Sequence, residues 1–73
     1  MARHIFRLPK TKLSKREHEA VQLLSNTGWS YLRIAHAMGV KESTVKYWMQ
    51  VARQKMNVKN RVEMVVKFTR SMV

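Results

Sequence analysis

Residues 41–56 read KESTVKYWMQVARQKM. Taken as a helix at about 100° per residue, the stretch has two faces. Val45, Trp48, Met49, Ala52 and Met56 recur at spacings of three and four and form one apolar stripe. Opposite them stand Ser43, Lys46, Tyr47, Gln50, Arg53 and Gln54, with no acid among them. These side chains suit phosphates and base edges in a major groove. Alone, such a face more often means a solvated basic helix, so its neighbours decide.

Gly39 lies just ahead, where a tight turn from a preceding helix needs a residue that tolerates a left-handed backbone. A short helix is expected over residues 30–38, with Ser30 as N-cap and Leu32, Ile34, Ala35 and Met38 facing inward. Ala35 and Ala37 are small enough for another helix to approach closely, and Val40 fits the gap between the two helices. Together these features make residues 30–56 a helix-turn-helix, with a recognition helix at about 42–56.

Around this unit the chain reads as all-α. Ser14-Lys15-Arg16-Glu17 fits a capping box opening a first helix, whose apolar side is Ala20, Val21, Leu23 and Leu24. Gly28 closes it. Asn60-Arg61-Val62-Glu63 is again cap-like and opens a fourth helix with two stripes. Val62, Val65, Val66 and Thr69 make one, expected to be the core contact. Met64, Phe68 and Met72 make the other, either a wide core contact or an apolar patch for a partner. We read it as the partner face of a two-fold homodimer. No run alternates apolar and polar residues as a half-buried strand does.

Residues 1–12 form an N-terminal arm in which Arg3, Arg7, Lys10 and Lys12 are unopposed by any acid. Pro9 disfavours a helix through it. A frayed, solvated end and an arm along phosphates or in a minor groove are both open readings. Ile5, Phe6 and Leu8 suggest packing on the domain or on a second chain.

The 73 residues allow one small domain, residues 13–73, with a thin core, and without cysteine no disulfide or thiolate metal site reinforces it. Fifteen Lys and Arg against four Asp and Glu give a net charge of +11. That excess attracts a polyanion, of which nucleic acid is the obvious case. No apolar run approaches the roughly 20 residues that span a bilayer, and the amino end lacks the apolar core of a signal peptide. We therefore expect no membrane partner and a cytoplasmic, nucleoid-associated location. His4, His18 and His36 do not pair at metal-ligand spacing, and no Gly-rich phosphate loop occurs. We expect no metal, no cofactor and no enzymatic activity.

The segment 13–68, about three-quarters of the chain, resembles the DNA-binding domain of LuxR/FixJ-type (GerE-type) transcriptional regulators. The matching words are LSKREHEAVQLL at 13–24, RIAHAMGV at 33–40, ESTVK at 42–46 and VKNRVEMV at 58–65. The resemblance implies four helices, the second and third forming the helix-turn-helix and the fourth commonly mediating dimerisation. It implies double-stranded DNA as partner, with base contacts from Lys46, Tyr47 and Gln50, which helical geometry also turns outward. Lys46 suits guanine acceptors and Gln50 suits adenine. Ser43 and Thr44 lie near the helix start, where amides favour phosphate. Lys41, Arg53, Lys55, Lys59 and Arg61 are further phosphate candidates. For each of these cations a solvated side chain is nearly as good a reading.

Departures from the family pattern are instructive. Lys41 replaces the usual Ser or Thr cap before the recognition helix, and a cation repels a helix amino end. That end is therefore expected to start later, with Ser43 as cap. Arg33 replaces the usual acid before Ile-Ala. Full-length relatives carry a sensor domain ahead of the module, whereas twelve residues precede it here, so a regulator lacking a sensor domain is expected. A rival function is a protein-interaction antagonist binding a larger LuxR-type regulator or RNA polymerase. A relative of sigma factor region four is a third reading, against which the VKNRVEMV segment argues.

Overall fold

The computed structural model describes residues 12–71. Four helices follow one another: α1 (Lys15–Thr27), α2 (Tyr31–Met38), α3 (Glu42–Met56) and α4 (Arg61–Ser71). No strand occurs among the described residues, so the expected all-α fold is the one found. Arg3, Arg7, Lys10 and Met72 lie outside the described residues.

Local chemistry sets most of the boundaries. The Glu17 amide donates to Ser14 Oγ at 3.2 Å, and the Ser14 amide donates to Glu17 Oε1 at 2.9 Å, closing the capping box of α1. Ser30 Oγ accepts from the Arg33 amide at 3.2 Å and starts α2. Asn60 Oδ1 accepts from the Glu63 amide at 2.9 Å, while the Glu63 carboxylate takes the Lys59 amide at 2.8 Å. Both α2 and α3 end on a left-handed residue, Gly39 at φ 71° and Asn57 at φ 59°. Asparagine is among the few side chains that tolerate this backbone.

One helix start differs from expectation. α3 begins at Glu42 with Lys41 as N-cap, and no side chain caps it. Ser43 is thus inside the helix. The first helical bonds mark the start: the Lys41 carbonyl accepts from the Thr44 and Val45 amides at 3.0 and 3.3 Å. Glu42 in the first turn compensates the positive helix end that Lys41 leaves uncapped.

The core gathers Ala20, Val21, Leu24, Ile34, Ala35, Val45, Met49, Ala52, Met64 and Phe68. The apolar stripe of α3 therefore faces inward, with Trp48 and Met56 half-buried at its edges. Leu32, expected inside, is 61% exposed.

The largest correction concerns α4. Met64 is completely buried and Phe68 is 5% exposed, whereas Val62 is 71% and Val66 45% exposed. Met64 and Phe68 are core, so they do not present a partner face. The helix is turned roughly a third of a revolution from the expected orientation. The reason is reach and area. A long Met and a large Phe cover more of a thin core than valines do, and the Phe68 ring packs 5.0 Å from the His18 ring of α1.

Candidate nucleic-acid interface

The outward face of α3 is free of the fold. The Lys46 side chain is 61% exposed, Tyr47 is 62% exposed, and Gln50 is exposed beside them. Directly behind, Val45, Met49 and Ala52 have no exposed surface at all. Burying one face of a single helix thus fixes the opposite face outward. Ser43 is exposed and Thr44 half-buried near the amino end.

Three side chains brace this helix against the rest of the domain. Arg16 of α1 lies over the Trp48 ring at 5.5 Å and donates to the Met38 carbonyl at 3.2 Å, touching both helices of the turn. Lys67 of α4 donates to the Met56 carbonyl at 2.6 Å, placing a cation at the carboxyl end of α3. Lys55 donates to Glu17 Oε1 at 2.8 Å.

The last contact corrects the expected role of Lys55. Its side chain is 23% exposed and that of Glu17 only 9%. Lys55 ties the end of α3 to the start of α1 and is not free to meet a phosphate. Burial pushes the Glu17 carboxyl up, but the hydrogen bond from Lys55, the Ser14 amide and the Lys55 charge outweigh it. The net result lies below the ordinary value of 4.5. Neither Arg16 nor this ion pair follows from spacing within one helix; the only hint for Lys55 was its position three residues after the buried Ala52.

Other candidates fall around α3 with unequal freedom. Lys41, Lys59 and Lys12 are exposed, and Arg53 is half-buried. Arg61 is exposed but stacked 5.1 Å over the Tyr31 ring. Arg33, which lacks the acidic character expected at its position, lies 4.4 Å over Trp29. Glu42 sits 4.0 Å from Lys46 through Oε2. The Glu-x-x-x-Lys spacing in ESTVK was the available signal for that pair.

Among the described residues no group of three His, Cys, Asp or Glu side chains is placed to hold a metal ion. No helix there is long and apolar enough to cross a membrane.

Residues 11–68 match the family model of the bacterial regulatory proteins of the luxR family, the GerE domain. Proteins with this domain are DNA-binding regulators of transcription. No curated protein and no solved structure is significantly similar to the chain.

Proposed function

This chain belongs to the LuxR family of bacterial regulatory proteins, and on that footing we propose that it reads duplex DNA sequence through Lys46, Tyr47 and Gln50. The observation that carries the reading is the exposure of these three side chains on a helix whose other face is the core. Lys41, Ser43, Thr44, Arg53, Lys59 and Arg61, with the arm cations Arg3, Arg7, Lys10 and Lys12, would supply phosphate contacts. The net charge of +11 makes those contacts strongly salt-dependent. The protein is then a non-enzymatic regulator acting on cytoplasmic, nucleoid DNA.

A homodimer is part of the proposal, but through a different surface from Met64 and Phe68. Val62 and Val66 form a ridge on α4. One cleft beside it is lined by Trp29, Arg61 and Val65, another by Val58, Lys67 and Arg70. A two-fold interface needs a surface that fits its own copy, and a ridge between clefts offers each copy both a projection and a recess. Two chains of this charge repel in free solution, so pairing is expected on one duplex rather than before it. The same ridge also suits the rival reading, attachment to a larger regulator.

Selection of bound sequences from a random duplex pool, with complex mass measured in solution, tests both parts. A two-fold motif in a complex of two chains per duplex supports the proposal. Absence of any enriched motif overturns the readout, and a motif bound by one chain overturns the dimer. Lys46→Ala and Gln50→Ala should each relax preference at one base pair by roughly 1–3 kcal/mol.

A further inference from the structure

Glu42 is the one carboxylate on α3; the chain's other three acids, Glu17, Glu19 and Glu63, belong to α1 and α4. It precedes Lys46 by one helical turn, and Lys46 precedes Gln50 by another, so the three share a stripe. Its side chain is 41% exposed and its Oε2 stands 4.0 Å from the Lys46 ammonium, at the outer limit of an ion pair. At that distance the lysine is attracted without being locked. The Lys55 ammonium, 2.8 Å from Glu17 and largely buried, shows what a locked lysine looks like in this fold.

A loose pair of this kind discriminates between acceptors. A phosphate is an anion, and one that approaches Lys46 must also approach the Glu42 carboxylate. The edge of guanine offers O6 and N7, two acceptors without net charge. The carboxylate therefore opposes the first partner far more than the second. Phosphates occur at every nucleotide, so this bias falls on binding that ignores sequence.

We propose that Glu42 is a specificity-determining residue: it keeps Lys46 off phosphates and reserves it for uncharged acceptors on a base edge. The inference rests on the reading of α3 as the DNA-reading helix. Glu42 lowers total affinity and raises the ratio of cognate to non-cognate binding. This role accounts for the one acid of α3 standing a turn before Lys46.

The test compares Glu42→Gln with Glu19→Gln on the selected duplex and on a scrambled one, across a salt series. Glu19 is a fair control because its side chain is 42% exposed and pairs with Arg16 on α1. Glu42→Gln should raise scrambled-duplex affinity about 2–5-fold, the scale of a released surface pair. It should lower the cognate ratio by a similar factor, and steepen the salt dependence of scrambled binding by up to one phosphate contact. Glu19→Gln should leave the ratio unchanged. In a Lys46→Met background the effect of Glu42→Gln on the ratio should vanish.

An unchanged ratio in Glu42→Gln, an equal fall in Glu19→Gln, or an undiminished effect without Lys46 each overturns the inference while the parent reading stands. A wild-type protein with no sequence preference overturns both. Thermal unfolding of each variant separates any loss of fold from these outcomes.

Discussion

A lysine–glutamate pair sits at each end of α3, and the two pairs serve opposite purposes. At its carboxyl end Lys55 is pinned to a buried glutamate and the last carbonyls receive the Lys67 ammonium. At its amino end there is no side-chain cap, and Lys46 rests 4.0 Å from a half-exposed glutamate. A lysine–glutamate pair occurs at both ends, yet one is a fastening and the other a restraint. What separates them is the solvent: breaking a buried pair strands a charge, whereas an exposed pair exchanges its partner for water at little cost. The helix is thus fastened at its carboxyl end, toward α4, and less constrained at the amino end, where we propose that it meets DNA.

That contrast can be broken from the inside outward. The largest effect is expected from Met49→Ala, which empties the centre of the helix's inner face. A loss of about 2–5 kcal/mol is a large share of what a chain of this size has, and denaturant titration should find the variant largely unfolded. Glu17→Ala removes a cap and leaves Lys55 unpaired. It should cost about 2–4 kcal/mol and, in molecules that remain folded, leave base preference unaltered. A changed preference would mean that the fastened end also reads DNA.

Acidity probes the fastened end. The folded-state value of Glu17 lies below its ordinary 4.5, so the folded protein holds that proton less tightly than the unfolded chain. The resulting stability is fully present above the ordinary value and is lost as pH falls through the folded one. Thermal midpoints should hold steady from neutral pH down to about the ordinary carboxyl range and then decline. Glu17→Gln should flatten that decline, because the glutamine cannot take up the proton. An undiminished decline in Glu17→Gln would mean that the buried pair adds no pH-dependent stability.

The smallest effect probes the uncapped end. Lys41→Ser supplies the missing cap and should raise stability by about 0.5–1 kcal/mol, measurable as a higher thermal midpoint. It also removes a cation near the interface, so affinity should fall slightly and its salt dependence should ease. No gain in stability would mean that Glu42 already satisfies the helix start.

Nearly every helix boundary was legible in the chain, and so was the outward face of α3. Ser14, Ser30 and Asn60 each accept from an amide three residues on, and the Gly39 amide donates to the Ala35 and His36 carbonyls just before it. The alternation of Val45, Met49 and Ala52 with Lys46, Tyr47 and Gln50 likewise needs only the helical repeat. Interactions confined to one turn can be read from neighbouring letters. The rest required the helices to be placed against each other. Both stripes of α4 were apolar, and the reach of Met64 and Phe68 across a thin core chose between them. Glu17 and Lys55 are 38 positions apart, and a contact over that distance exists because α1 and α3 pack together, which no local pattern encodes.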